Sequence, residues 1–250
     1  MSRLKSRLLE RLLNEKHKSC GLFILVDPEK TGAESAGSFA AEASLDGVSG
    51  FLIGGSTMKD AEFRKTAAAV KKNTPKPVLF FPGTSRQICE YADGVFFISL
   101  ISGRNPKYLI DEQVRGAGMV LKAGLDPVPV GYMLISSGGE KTEVEKQSNT
   151  CALRREDIRT AVDHALAARC MGMDAVYLEC GSGANMAVPP EMVKAVKEES
   201  GLVVITGGGI KTPEAAAEIS EAGSDFIVVG SLFEKNNDQE EIRKILDSLQ

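Results

Sequence analysis

The sequence contains no tryptophan and only two histidines, His17 and His164, among 250 residues. Both lie in segments with helical periodicity, away from the ends of the apolar runs, so histidine acid–base catalysis and a histidine zinc site are not expected. The five cysteines are scattered, with no Cys-x-x-Cys pair, which argues against a disulfide framework and a thiolate zinc site. We therefore expect reduced thiols and a cytoplasmic protein.

An excess of basic charge and a long apolar run are also missing. The 34 acidic and 30 basic side chains leave a net charge of −4, so there is no broad basic field for nucleic acid phosphates. The leucines of residues 1–20 alternate with charged residues, unlike a signal peptide, and no run approaches the roughly 20 apolar residues of a membrane span. No nucleic acid partner is expected.

Eight short apolar runs alternate with segments of helical periodicity. Runs that are apolar on both faces are typical of parallel strands covered by helices, and eight βα units in 250 residues match a (β/α)₈ TIM barrel. We predict an α/β fold in which residues 1–250 form one barrel domain; an open doubly wound sheet is the alternative. The predicted strands are 22–26, 50–53, 78–81, 95–98, 128–135, 175–178, 203–206 and 226–229.

The predicted helices cover residues 33–46, 58–72, 106–122, 155–171, 190–199, 213–222 and 239–249. The interval 81–95 is too short for a helix and two turns, so the helix after strand 3 is expected to be degenerate or replaced by a loop. The polar segment 136–154 predicts a mobile excursion above the barrel. A leading N-terminal helix is expected to close the barrel bottom; transient contact with an anionic membrane surface is the alternative.

Glycines follow the last two strands of the predicted barrel. Gly207, Gly208 and Gly209 come after strand 7, and Gly230 and Ser231 after strand 8. Backbone amides without shielding side chains bind phosphate at this position in many barrels. A phosphorylated small molecule is the predicted ligand, and tight βα turns without a ligand are the alternative.

Carboxylates follow strands 6 and 1. Glu179 is a candidate general base or hydroxyl ligand, and an ion-paired or capping glutamate is the alternative. Asp27 is a hard oxygen ligand suited to Mg²⁺, or a structural cap of its turn. Ser56 supplies a hydroxyl near the same ion, or a helix N-cap. Lys30 and Arg104 are candidate diphosphate contacts, with solvated surface positions as the alternative.

Large apolar residues gather at the ends of strands 3 and 4, where a helix is expected to be missing. They predict an apolar groove open to solvent, with core packing as the alternative for most of them. The residues are Phe80, Phe81, Phe96, Phe97, Leu100, Ile101 and Tyr108.

Taken in order, these strand-end segments resemble the geranylgeranylglyceryl phosphate synthase family, which includes heptaprenylglyceryl phosphate synthases. The motifs FFPG and SGRN are similar to those of the second of the family's two groups. The resemblance covers nearly the whole chain. The segments are LVDPEK (25–30), GGS (54–56), FFPG (80–83), SGRNPKYLI (102–110), GYMLIS (131–136), YLECGSGA (177–184), GGGI (207–210) and VVGS (228–231).

The resemblance implies a modified barrel and a Mg²⁺-dependent prenyltransferase of ether-lipid biosynthesis. Such an enzyme joins a polyprenyl diphosphate, here expected to be geranylgeranyl, to the sn-3 hydroxyl of sn-glycerol 1-phosphate and releases diphosphate. Asp27 and Ser56 would bind Mg²⁺, and Glu179 would be the catalytic base. The glycerol phosphate would contact Tyr177, Leu178, Glu179, Cys180, Gly181, Ser182, Gly183, Gly208, Gly209, Gly230 and Ser231.

The family also implies a homo-oligomer. Cys180 departs from the family motif, which usually has alanine at this position. Two other functions remain open at this point: a phosphate-binding barrel isomerase or synthase of tryptophan or histidine biosynthesis, and a noncatalytic barrel that binds a phosphorylated ligand. The former usually needs strand-end acid and base pairs, whereas the strand-end carboxylates here are Asp27, Glu29 and Glu179.

Overall fold

Strands and helices alternate along the chain in a computed structural model, which describes residues 6–16, 19–55, 60–139, 141–230 and 239–249. The strands are β1 (Gly21–Val26), β2 (Val48–Ile53), β3 (Val78–Phe80), β4 (Gly94–Leu100), β5 (Asp126–Leu134), β6 (Ala175–Glu179), β7 (Val203–Gly207) and β8 (Phe226–Val229). The helices are α1 (Arg7–Glu15), α2 (Ala33–Glu42), α3 (Asp60–Asn73), α4 (Glu112–Lys122), α5 (Glu143–Ser148), α6 (Ile158–Cys170), α7 (Pro190–Ser200), α8 (Pro213–Glu221) and α9 (Gln239–Ser248).

The eight strands form a closed parallel barrel in sequence order. β8 pairs with β1 through Phe226 opposite Gly21, so the predicted TIM barrel is confirmed and the open sheet is excluded. Alternate side chains point to opposite faces of each strand. Phe23 and Phe226 pack inside the barrel, whereas Leu22 and Ile24 pack in the outer layer beneath the helices.

The leading helix α1 closes the bottom of the barrel, as predicted. Leu8, Leu9 and Leu12 are buried in the inner cluster. Buried Asp174, just before β6, accepts a hydrogen bond from the Ser6 N–H at 2.8 Å, which satisfies an amide at the helix start. Because these leucines are buried, a membrane contact would have to use the charged side chains of this helix. That contact stays a prediction. In the described part of the chain, no helix is long and apolar enough to cross a membrane.

The helix after strand 3 is replaced by an irregular segment, which confirms the expectation from its length. Residues 81–93, all described, contain no helix. On the far side of β4 the chain makes a π-helical turn over Lys107–Asp111 before α4 begins. The Ser99 hydroxyl donates to the Leu109 carbonyl at 2.6 Å, and the Gln113 amide donates to the Tyr108 carbonyl at 3.2 Å. These side chains satisfy carbonyls of the π-helical turn.

The 136–154 excursion contains the short helix α5, which the sequence analysis did not predict. Thr142 and Glu145 form a reciprocal capping box at its start, and Asn149 ends it with a left-handed backbone. The Thr-x-x-Glu spacing was the available signal. The mobility of this excursion stays a prediction.

Candidate active site

A cavity of about 550 Å³ opens at the carboxyl ends of the barrel strands. It is lined by residues that follow or end seven of the eight strands. These include Asp27 after β1, Gly55 after β2, Phe81 after β3, Glu179 at the end of β6, Gly208 and Gly209 after β7, and Gly230 after β8. The barrel therefore brings most of the predicted site residues to one place, as expected for this fold. Ser56 and Ser231 lie outside the described residues.

Glu179 is a buried carboxylate on the wall of this cavity. Its Oε1 accepts a hydrogen bond from the Gly181 N–H, and the Tyr177 hydroxyl donates to the same carboxyl. Burial raises the pKa of Glu179 to about 7, partly offset by these two hydrogen bonds. Burial also raises the pKa of Tyr177, so this phenol stays protonated and acts as the hydrogen-bond donor to Glu179. Glu179 is thus placed to accept a proton near neutral pH.

Beside Glu179, glycines form a concave wall with left-handed backbone. Gly181, Gly183, Gly208 and Gly209 have φ values of 99°, 74°, 76° and 73°, which side chains rarely adopt. A β-carbon on Gly208 would lie 2.5 Å from Glu179 Oε1 and 2.6 Å from the Gly181 nitrogen. The glycines therefore let two loops approach each other and leave backbone open to an anion.

Asp27 faces the turn after β2. A β-carbon on Gly55 would lie 2.9 Å from Asp27 Oδ1, so the missing side chain leaves space beside the carboxylate. The Glu29 N–H donates to the same oxygen at 3.0 Å. Among the described residues there is no group of three or more side chains that would hold a metal alone. Mg²⁺ often takes one or two carboxylates and completes its shell with water and phosphate oxygens, so Asp27 fits such an ion.

Of the two cations predicted to touch diphosphate, one lines the cavity and the other does not. Lys30 Nζ lies 3.7 Å from Asp27 Oδ2 and 3.3 Å from the Ser182 hydroxyl. It therefore lies between the candidate metal ligand and the glycine-rich loop. The Arg104 guanidinium instead donates to the Gly103 carbonyl at 2.6 Å and to the Ile101 carbonyl at 3.2 Å, and it is absent from the cavity wall.

Two residues of the predicted glycerol phosphate set point away from the cavity. Leu178 and Cys180 are buried in the outer layer between barrel and helices, because they alternate with Tyr177 and Glu179. Burial raises the pKa of the Cys180 thiol to about 12, so this thiol stays protonated at neutral pH. Their side chains therefore shape the loop from behind and do not line the cavity.

The other half of the cavity is apolar and lies where the helix after β3 is missing. Val95 and Phe97, whose side chains point outward from β4, line this part together with Gly116 and Val120 of α4 and Ile88 from the irregular segment. Phe81 joins the two halves, because its ring stacks on Tyr177 with centroids 5.1 Å apart. The predicted groove is confirmed, although Phe80 and Ile101 belong to the packed core.

The cavity wall also includes residues of the 136–154 excursion that the sequence analysis did not assign. Thr142, Glu143, Val144 and Gln147 line the cavity from above. Gly181 allows Thr142 to approach, since a β-carbon there would lie 2.5 Å from the Thr142 methyl carbon. The short helix α5 and its N-cap Thr142 thus form part of the cavity wall.

Comparisons with known proteins agree with this geometry. The PcrB family profile matches residues 11–249. Geranylgeranylglyceryl phosphate synthase of Thermococcus gammatolerans is 38% identical over 243 residues, covering 96% of this chain and 95% of the relative. The crystal structure of (S)-3-O-geranylgeranylglyceryl phosphate synthase from Thermoplasma acidophilum, in complex with its substrate sn-glycerol-1-phosphate, superposes with a TM-score of 0.91 at 32% identity, covering 98% of each chain.

A more distant structure shares the barrel alone. Tryptophan synthase from M. tuberculosis superposes with a TM-score of 0.60 at 16% identity, covering 98% of this chain and 99% of that chain. At this identity the likeness shows the fold and not the chemistry. The resemblance identified from the strand-end motifs is therefore confirmed, and the tryptophan-type alternative has no support beyond the fold.

Proposed function

Because this chain belongs to the PcrB family, we propose that it is a prenyltransferase that joins a polyprenyl diphosphate to the sn-3 hydroxyl of sn-glycerol 1-phosphate through an ether bond. The sn-glycerol-1-phosphate bound in the Thermoplasma acidophilum enzyme supports the acceptor, and the similarity to geranylgeranylglyceryl phosphate synthase of Thermococcus gammatolerans supports a geranylgeranyl donor. The product belongs to ether-lipid biosynthesis. The chain is an enzyme of this class and not a noncatalytic binding barrel.

One observation supports the proposal above all: a single cavity has a polar part, which contains the Glu179 carboxylate, and an apolar part. The glycine-rich loops around Gly181 and Gly208 suit a phosphate, and the groove between β4 and α4 suits an isoprenoid chain. Glu179 is buried beside the glycine-rich loops. A reaction that joins a phosphorylated polar molecule to a long apolar one needs this arrangement.

In the proposed reaction the chain's own residues orient the acceptor and remove its proton. Backbone amides of the glycine loops bind the phosphate of the glycerol phosphate, and this orientation supplies much of the rate. Glu179 accepts the proton of the sn-3 hydroxyl as the hydroxyl oxygen bonds to C1 of the donor. The bond between C1 and the diphosphate oxygen breaks in the same process. Lys30 contacts the departing diphosphate.

A magnesium ion is part of the proposal, with Asp27 and Ser56 as its ligands. When bound, Mg²⁺ neutralises negative charge on the leaving diphosphate. The fit rests on Asp27, whose carboxylate lines the cavity beside the Gly55 turn. The remaining coordination positions are left to water and to phosphate oxygens.

A direct assay tests the function. Purified protein is incubated with Mg²⁺, sn-glycerol 1-phosphate or its enantiomer sn-glycerol 3-phosphate, and C15, C20 or C35 prenyl diphosphates. Products are weighed by mass spectrometry. We expect an ether from sn-glycerol 1-phosphate with release of diphosphate; the absence of ether from every pair would refute the proposal.

The groove predicts how donor length responds to a substitution on α4. Gly116 lines the groove, and a β-carbon there would meet only Ser85 atoms, the nearest at 3.4 Å. Gly116→Phe should therefore fold but fill the groove. Since each buried CH₂ contributes about 0.8 kcal/mol, kcat/KM for the C35 donor should fall by about 10-fold or more relative to that for C15.

Gly118→Phe is the matched control for this test. Gly118 lies on the same helix with nothing within 4 Å of a β-carbon, and it does not line the cavity. The relative rates for C15 and C35 should stay as in the wild type. An equal effect of both substitutions, or no effect of Gly116→Phe, would count against the groove as the donor site.

A homo-oligomer and a cytoplasmic location complete the proposal. Ile110, Val114 and Leu121 form an apolar stripe on and before α4, with exposed fractions of 55%, 71% and 73%. Such stripes are typical of protein interfaces. We expect light scattering to give a mass above that of one chain, and Val114→Glu to lower it. A wild-type monomer at micromolar concentration would overturn the expected oligomer.

A further inference from the structure

The carboxylate of Glu145 joins the two sides of the 136–154 excursion through hydrogen bonds. Its Oε2 accepts hydrogen bonds from the Thr142 N–H at 2.9 Å and from the Thr142 hydroxyl at 3.1 Å. Its Oε1 accepts a hydrogen bond from the Ala152 N–H at 3.0 Å. Glu145 therefore ties the start of α5 to the chain that returns toward α6.

Both ends of the excursion are fixed to the barrel. The Leu153 N–H donates to the Leu134 carbonyl of β5 at 2.8 Å, and the Ser136 N–H donates to the Leu153 carbonyl at 2.8 Å. Between these two points the Glu145 carboxylate links the opposite sides of the excursion. A substitution at Glu145 should consequently loosen α5 without unfolding the strands on which it stands.

α5 contacts the glycine-rich loop at one end and, at the other, the segment before α4 that contains the cavity residue Tyr108. Thr142 packs on Gly181 of the glycine-rich loop. At the other end, the Asn105 amide donates to the Ser148 carbonyl at 3.0 Å and the Tyr108 hydroxyl donates to the Gln147 carbonyl at 3.4 Å. In the proposed reaction, this helix therefore lies over the cavity in which the two substrates meet.

We propose that Glu145 is a positioning residue that holds α5 over the junction of the two substrates, so that the glycerol hydroxyl and not water attacks the prenyl donor. This inference rests on the proposed function. Between the two ends, Val144 packs against the inner cluster that contains Tyr132 and Tyr177. Covering a reactive site in this way suppresses side reactions with solvent.

The side reaction that Glu145 suppresses is hydrolysis of the donor. In it, a water oxygen forms the bond to C1, the bond between C1 and the diphosphate oxygen breaks, and the proton of the water goes to solvent. The products are a prenyl alcohol and diphosphate. The ratio of prenyl alcohol to ether therefore measures how well α5 covers the site.

The test compares this ratio in Glu145→Ala with that in the wild type, at saturating sn-glycerol 1-phosphate. We expect the ratio to rise by roughly tenfold, since the substitution removes a helix cap and the link to Ala152. Glu145→Gln should give a ratio between those of the wild type and Glu145→Ala, because its one amide oxygen can complete the capping box but cannot also accept from the Ala152 N–H. A purely structural role would lower the melting temperature or total turnover and leave the ratio unchanged.

Lys146→Ala is the matched control. Lys146 lies on the same helix in an exposed ion pair with Glu143, at 2.9 Å, and it does not line the cavity. Its substitution should leave the ratio unchanged. If Glu145→Ala does not fold, Thr142→Val tests the same link, because it keeps the methyl group on Gly181 and removes the hydroxyl.

The outcomes separate this inference from the function on which it rests. If the wild type forms no ether, the proposed function fails. If the wild type forms ether but the folded Glu145 or Thr142 variant keeps the wild-type ratio, the positioning role alone is refuted. An equal rise in Lys146→Ala also refutes it, since the effect would then belong to the helix as a whole.

Discussion

Glu179→Gln is expected to lower kcat for ether formation by about 10²–10⁴-fold, the usual contribution of a positioned general base. Glutamine preserves the shape of the side chain but cannot accept the proton of the glycerol hydroxyl. It also keeps an oxygen for the Gly181 N–H that now donates to Glu179, so the loop should persist. Steady-state kinetics with both substrates saturating give kcat, and a thermal melt checks the fold.

The role of Glu179 as the base also predicts how kcat/KM depends on pH. Because burial raises the pKa of Glu179 to about 7, the carboxyl holds its proton at pH values where an exposed glutamate is ionised. Only the ionised form accepts a proton, so kcat/KM should rise tenfold per pH unit below about 7 and then level. This inflection should vanish in Glu179→Gln.

The same substitution on the surface is the control. Glu191 is exposed in the first turn of α7, and Glu191→Gln should retain both the rate and the pH profile. Near-normal turnover of Glu179→Gln would remove Glu179 as the base, whatever its pKa.

Asp27→Asn is expected to lower kcat/KM by about 10²-fold or more and to move the Mg²⁺ titration to higher concentration. An amide keeps one oxygen near the Gly55 turn but removes the charge that binds the ion, and metal stabilisation of a leaving group is worth several kcal/mol. The titration of initial rate against Mg²⁺ measures both effects. Binding of sn-glycerol 1-phosphate, measured by calorimetry, should change little, because the glycine loops supply that site.

Asp46→Asn is a useful control, since Asp46 lies in the turn before β2, at the opposite end of the barrel from the cavity. It should give the wild-type titration. A wild-type Mg²⁺ titration for Asp27→Asn would show that this carboxylate is not a metal ligand.

The barrel could be predicted from the sequence because parallel strands buried on both faces leave a strong local signal. That signal also gave the strand ends, and hence Asp27, Glu179 and the glycines. The side chains of Leu178 and Cys180 point outward because they alternate with Tyr177 and Glu179 along the strand. The family motif names all four residues and does not distinguish the two faces of the strand.

The remaining features depend on tertiary contacts. The Arg104 guanidinium donates hydrogen bonds to carbonyls of its own turn, and no sequence pattern indicates these bonds. The π-helical turn needs Ser99 from β4 and Gln113 from α4 to satisfy its carbonyls. The groove lies between β4 and α4, beside the irregular segment that replaces the helix after β3, so its depth is set by packing.

The central claim is that the sn-3 hydroxyl of sn-glycerol 1-phosphate attacks C1 of the prenyl donor within this cavity. Acceptor labelled with ¹⁸O at that hydroxyl, incubated with Mg²⁺ and geranylgeranyl diphosphate, tests it most directly. Fragmentation mass spectrometry should find the label in the oxygen that bridges the glycerol and the prenyl chain, and none in the released diphosphate. An unlabelled bridging oxygen, label in the diphosphate, or diphosphate release without any ether would contradict the claim.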